Sequence, residues 1–407
     1  MSDANLPRRL RLALARHGIW RSPDLQTDSD RTASRLELFF DLAFVLVITQ
    51  LAGGLRADVT VHGALVFAGL FTVVWWSWVS STLYANRFDH DDVVYRLFKL
   101  GGMASVIGMA AAAPEATGSR LAVFAGCAAA LRGLLLLQYL RAFRHVPRAR
   151  PVVRVYAGTI GVGMLLFAVS PAVGRPGCFA VWAVALAVEV YAPLRATGRA
   201  ADVPLHMEHL PERFALLVIL VLGESVAAVA NGLVAAQWSG RAVAVAAACF
   251  VLAAALWWSY FDLAGAGAKR LLSRAGSARS EWAHDVFVFG HLPQCLALSA
   301  VGAGIQLAVL ESGRGEVPTG VRSLVAGGVA VYLGAVAVTN TGMAGTFSRT
   351  WRSGWWWPLA AAGVAGLDAL VALPSLVVVG SLAVLVGAVV AVGTTRRTSG
   401  RLEVEAL

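Results

Sequence analysis

The sequence predicts an all-α protein, a polytopic transmembrane helix bundle of about 12 spans arranged as two parallel six-helix repeats. Three observations carry that expectation. First, 58% of the 407 residues are hydrophobic and 14% are charged, with a mean hydropathy of +0.68. A water-soluble domain is about 25% charged, and disorder needs few apolar residues and many charges, so neither class fits. Second, the apolar residues fall in runs of about 20, the length that crosses a hydrocarbon core. Third, matching motifs recur in the same order in the two halves of the chain.

The candidate spans are 36–55, 62–84, 93–113, 120–140, 154–171, 177–195, 212–236, 242–263, 283–310, 321–341, 355–373 and 375–394. Only Leu373-Pro374 separates the last two, which leaves eleven spans as the alternative. The runs are too long for barrel strands, and unpaired backbone is not tolerated at membrane depth, so helices follow.

Orientation comes from the basic residues of the connections. With the N-terminus inside, the inner segments and adjoining span ends hold 27 Lys and Arg; the outer ones hold six, and Arg132 lies within a span. Both termini are therefore expected on the cytoplasmic side of the membrane. The domain reading is a basic cytoplasmic tail 1–35, a first repeat 36–195, a cytoplasmic linker 196–211, a second repeat 212–394 and a cytoplasmic C-tail 395–407. In the first tail Leu6, Leu10 and Leu14 recur among arginines, which reads as an interfacial helix or as a solvated basic tail. The net charge of +10 is spread over short connections, so the expected partners are membrane lipids and a small solute or ion, not nucleic acid. The cysteines Cys127, Cys178, Cys249 and Cys295 are scattered singly and read as small buried hydrophobes.

The repeat rests on three matches. Span 1 runs from Glu37-Leu-Phe-Phe-Asp41 to Leu51-Ala-Gly-Gly-Leu55, and span 7 from Glu212-Arg-Phe-Ala to Val229-Ala-Asn-Gly-Leu233. The following span carries Trp75-Trp-Ser-Trp78 in one half and Trp257-Trp-Ser-Tyr260 in the other; Asp89-His90-Asp91-Asp92 and His284-Asp285 come next. Six spans between copies give both halves the same orientation, a parallel repeat.

Charges inside lipid are rare and point to function or pairing. Glu37 and Asp41 share one face of span 1, with Gln50 further along it. Glu37 reads either as a carboxylate favoured by a helix N-terminus or as part of a polar path. Glu212 opens span 7, and Glu224 lies about 18 Å further along it, near mid-membrane, between Gly223 and Ser225. Glu224 is either a path carboxylate or a salt-bridge partner of a buried cation such as Arg132. Arg132 and Glu189 are the other intramembrane charges and are candidates to neutralise one another. Asp262, His284, Asp285 and His291 gather toward the cytoplasmic side, where they suit a proton relay; Pro293 marks a site for a kink. His206 and His209 sit together in a connecting loop and read as a solvated pair. No HExxH, paired HxxxH or CxxC is present, so no metal and no cofactor is expected, and no catalytic residue is assigned.

Glu37-Leu-Phe-Phe-Asp-Leu-Ala-Phe-Val, Glu212-Arg-Phe, Leu222-Gly-Glu-Ser225, Trp257-Trp-Ser-Tyr-Phe-Asp262 and His291-Leu-Pro293 resemble the hallmark segments of the bacterial low-temperature-requirement protein A (LtrA) family. The resemblance runs from about residue 32 to 394 and implies a polytopic bacterial membrane protein named for a cold-growth phenotype. Three roles compete. One is a transporter or channel with an acidic, His-lined path between the repeats. The others are a membrane-embedded enzyme acting on a lipophilic substrate and a non-catalytic sensor or scaffold.

Overall fold

The computed structural model describes residues 21–25, 34–89, 92–196, 210–265, 277–344 and 356–405. The Leu6–Leu14 segment, His90, Asp91 and the linker residues 197–209, with His206 and His209, lie outside the described residues.

Among the described residues twelve helices follow one another: α1 (Arg35–Ala57), α2 (Val61–Arg87), α3 (Val93–Ala112), α4 (Leu121–His145), α5 (Arg150–Val173), α6 (Gly177–Ala196), α7 (Leu210–Ala235), α8 (Gly240–Trp258), α9 (Ser277–Leu310), α10 (319–344, through a wider turn at Ser323–Gly327), α11 (Trp356–Asp368) and α12 (Ser375–Glu405). Ten of them contain stretches long and apolar enough to cross a membrane. The apolar stretch Gly177–Tyr191 of α6 falls short of that length, as does the 13-residue α11. The last two helices are separate, because α11 ends at Asp368 and Pro374 precedes the start of α12. The break is held in place by its own backbone: Arg322 Nε donates to the Ala369 carbonyl, and Val317 N to that of Leu373.

The chain divides into two compact units. The first comprises residues 1–50 and 70–209, the second residues 51–69 and 210–407. In the first, α3 packs on α4, α4 on α5 and α5 on α6. Its aromatic core gathers Tyr84, Phe88, Tyr95, Tyr139 and Tyr156 around Leu135 and Ile160, with the Tyr139 and Tyr156 rings stacked at 5.5 Å. Leu25 packs against this core from a two-residue ribbon in which β1 (Asp24–Leu25) pairs with β2 (Phe88–Asp89). Pro151 falls in the first turn of α5, where a missing N–H removes no helical bond, and α5 ends at Gly174 with φ +74.

In the second unit the long α9 packs extensively against both α7 and α10, and α12 lies along α8. Small residues let the backbones approach, as is usual inside membranes. Gly302 of α9 faces Ser225 of α7, Gly304 faces Val325, and Gly328 of α10 faces the Ala297 carbonyl. Two wider π-type turns, Ser259–Gly265 after α8 and Ser323–Gly327 in α10, interrupt the regular helical ladder.

Candidate functional site

Glu37 belongs to a capping box. The Ser34 hydroxyl accepts from Glu37 N at 3.2 Å, while the Glu37 carboxylate accepts from Ser34 N at 3.0 Å. This reciprocal arrangement satisfies two otherwise unpaired N–H groups at the start of α1. One turn deeper, Asp41 is buried and accepts from the Trp78 indole N–H at 2.8 Å. Gln50, further along α1, is half-buried.

Arg132 and Glu189 meet inside the first unit, Nε to Oε1 at 2.6 Å, with side-chain exposures of 4% and 3%. Arg132 Nη1 also donates to Ser77 Oγ and the Ala128 carbonyl, and its guanidinium lies 4.1 Å from the Phe167 ring centroid. The Glu189 carboxylate rests directly against Gly163, where a methyl group would overlap Oε1. Four helices, α2, α4, α5 and α6, are thus tied by one charged pair. Such pairing is what makes a charge tolerable in hydrocarbon.

Glu224 in the second unit has a different cation from the one expected. Its Oε1 accepts from Arg56 Nη1 at 3.1 Å, whereas Arg132 is committed to Glu189. Arg56 sits in the last turn of α1, where charge counting places it in an outer connection. Its side chain instead folds back along α1 over Gly53, whose missing Cβ would lie 3.6 Å from Nη2. Arg56 keeps 17% exposure against 6% for Glu224. Other polar groups lie on α7 and α9. The Ser225, Ser299 and Gln306 side chains each hold a buried oxygen without a hydrogen-bond partner among the described residues. Ser299, Gly302 and Gln306 share one face of α9 by their helical spacing, the face that meets Ser225 through Gly302. A Cβ at Gly223 would meet nothing within 4 Å.

The expected His and Asp cluster separates into independent pairs. His291 is buried, with Nδ1 at 2.6 Å from the Phe287 carbonyl and Nε2 at 2.9 Å from the Tyr260 hydroxyl. A carbonyl only accepts, so Nδ1 carries the proton and Nε2 accepts from Tyr260, the neutral tautomer. Phe214 and Phe287 close around the ring. Asp262 is held in the π turn by the Trp258 indole at 2.6 Å. His284 pairs with its neighbour Asp285 at 3.0 Å, and Glu212 is exposed in the first turn of α7. Among the described residues no group of three or more His, Cys, Asp or Glu is placed to hold a metal.

Sequence reasoning missed one further charged centre. Asp92 caps α3 by accepting from Tyr95 N at 2.8 Å and pairs with Arg141 of α4. It also accepts from Arg21 N at 2.9 Å, while Arg141 Nη2 donates to the Arg21 carbonyl at 2.5 Å. Burial alone raises the Asp92 pKa, but the hydrogen bonds from Arg141 and from Arg21 and Tyr95 N–H outweigh it and leave the carboxyl below its ordinary value. The available signal was an Asp directly before an apolar run, a helix-capping pattern. Its arginine partner lies 49 residues away, beyond any local pattern.

Ten helices apolar enough to cross a bilayer among the described residues, with charged side chains paired between helices, define an integral multi-pass membrane protein. Residues 32–391 match the description of the bacterial low temperature requirement A protein, and the chain belongs to this LtrA family. It is similar to an uncharacterized protein of Rhizobium meliloti (strain 1021), at 30% identity over 297 residues, covering 69% of this chain and 71% of the relative. No solved structure matches it.

Proposed function

We propose that this LtrA protein is a transporter or channel for an ion or small polar solute, and that its path runs through the second unit past Arg56 and Glu224. It would sit in the bacterial inner membrane with both termini cytoplasmic, on the 27-to-6 division of basic residues. One observation carries the reading: a buried carboxylate halfway along an apolar helix, paired to a partly exposed arginine and accompanied on α7 and α9 by unpartnered Ser225, Ser299 and Gln306 oxygens. In hydrocarbon, unsatisfied polar groups are expensive, and passing water or a hydrated solute would satisfy them. An enzymatic reading built on Asp262 and His291 has less support, since each is engaged by a different aromatic side chain.

The test is reconstitution into proteoliposomes and flux of a panel of monovalent ions and small polar solutes, with Glu224→Gln beside the native chain. Flux lost in a variant that keeps its thermal unfolding profile supports the path. Equal flux in both proteins removes Glu224 from it, and no flux of any solute in the panel would sink the transport reading.

A further inference from the structure

The buried pair of the first unit adjoins a small cavity in which the centre of a water-sized sphere can range over about 10 Å³, more room than one fixed water fills. Ser77, Ser80 and Ser81 of α2 line it together with Arg132 and Glu189. Arg132 has five N–H bonds. Nε serves Glu189, and Nη1 serves Ser77 and the Ala128 carbonyl. The buried Nη2 has no hydrogen-bond partner among the described residues. The Ser77 and Ser81 hydroxyls donate to carbonyls of their own helix, those of Val73 and Ser77. Such hydroxyls rotate to suit an incoming acceptor.

Charge decides what fits. Among the described residues, Arg132 is the charged group that acts on Glu189; α2 adds serines and the Trp76 indole, and α5 adds Gly163 and Phe167. With Glu189 ionised the pair is neutral, so an anion entering the cavity would leave a net negative charge in a low-dielectric interior, which is strongly unfavourable. With Glu189 protonated, Arg132 becomes an unbalanced buried cation that one anion neutralises, and its free N–H groups become donors to that anion.

We propose that this cavity binds one small monovalent inorganic anion, of chloride or bromide size, together with one proton taken up by the Glu189 carboxylate. No covalent bond changes; the proton and the anion both come from solution and both return to it. The site lies wholly within the first unit, so it stands or falls separately from the Glu224 path.

The experiment uses the full chain in nanodiscs, titrated with bromide at constant ionic strength against gluconate, which is too large for the cavity. Thermal unfolding and proton uptake from a weakly buffered solution are read near pH 5 and near pH 8. Bromide should raise the unfolding midpoint saturably near pH 5, with one proton taken up per anion. Above the titration of Glu189 the apparent affinity should fall about tenfold per pH unit, as linkage of one proton to one anion requires. In Glu189→Gln, which carries no charge at this position, bromide should stabilise equally at both pH values. Ser81→Leu, which fills the cavity, should abolish the effect. Should Glu189→Gln fail to fold, the pH pair on the native chain still decides. Absence of a saturable bromide effect near pH 5 overturns the proposal, as does an equal effect near pH 8 or one that survives Ser81→Leu.

Discussion

The two buried ion pairs, Arg132–Glu189 and Arg56–Glu224, use the same chemistry in opposite ways. The first is short, 4% and 3% exposed, stacked on Phe167 and pressed against Gly163. The second is longer, its arginine is 17% exposed, and α7 and α9 carry buried oxygens without a hydrogen-bond partner among the described residues, at Ser225, Ser299 and Gln306. A second contrast follows the duplicated motif. Ser77 and Ser259 occupy matching positions in Trp-Trp-Ser-Trp and Trp-Trp-Ser-Tyr. Ser77 meets the Arg132 guanidinium, whereas Ser259 meets the Tyr332 hydroxyl at 2.8 Å. A pair with both members buried serves packing or a tightly held ligand; a pair with an exposed member can exchange partners.

Breaking the Arg132–Glu189 pair should have the largest effect. Glu189→Leu leaves Arg132 buried without its carboxylate, at an expected loss of about 3–5 kcal/mol, read as a lowered unfolding midpoint in detergent at low halide concentration. The double change Arg132→Met with Glu189→Leu should recover most of that loss, since apolar replacement of a buried pair is often neutral. If the double variant is as unstable as the single one, the unpaired charge was not the cause.

Gly163→Ala comes next. The added methyl collides with Glu189 Oε1, and overpacking of this kind costs about 1–3 kcal/mol. Gly223→Ala, on the exposed face of α7, should cost nothing beyond the error of the same melting experiment, because the new Cβ meets no atom within 4 Å. Similar losses for both glycines would show that contact with Glu189 is not what makes Gly163 necessary.

Glu224→Gln should be milder for stability than Glu189→Leu, by about 1 kcal/mol or less in total, because the 17% exposed Arg56 can turn toward solvent. Its effect belongs in the flux measurement instead. A stability loss matching that of Glu189→Leu would make Glu224 a structural residue like its counterpart.

The smallest effect is expected at the end of the first unit, where Asp92 and Arg141 hold residue Arg21. Asp92 titrates below its ordinary range in the folded chain. Its contribution is therefore complete above the ordinary aspartate pKa, about 4, and is lost as pH falls through the lowered folded value. Trypsin cleavage at Arg21 should accelerate only below about pH 4 in the native chain, read by a short pH pulse followed by digestion at neutral pH under conditions that trap the opened segment. Asp92→Asn should cleave faster at every pH; if it matches the native chain, the Asp92 contacts do not restrain that segment.

Much of the architecture was legible in local pattern. Each apolar run had to become a helix, since a chain in hydrocarbon must satisfy its own backbone; each of the twelve expected runs overlaps a helix, and ten of those helices are long and apolar enough to cross a membrane. Their exact ends were less legible: α12 continues as a helix to Glu405 although the apolar run stops near 394, and α11 is shorter than its apolar run because the chain turns at Ala369 to meet Arg322. Glu37 was readable as an N-terminal carboxylate. The identification of Arg132 and Glu189 as possible partners needed only two lone charges of opposite sign in spans.

Composition and hydropathy alone determined that this chain enters a membrane as a helix bundle, because transfer of an apolar run into lipid is a property of that run. Which charge meets which was decided by the tertiary structure. Arg56 reaches Glu224 across 168 residues of sequence, and a basic residue at a helix end looks the same in sequence whether it faces water or folds back to a buried acid. His291 likewise gains its fixed tautomer only because Tyr260 and the Phe287 carbonyl occupy its two nitrogens. The strength of a buried charge contact depends on distance, on surrounding dielectric and on what else can reach the pair, and those quantities exist only once the helices have packed.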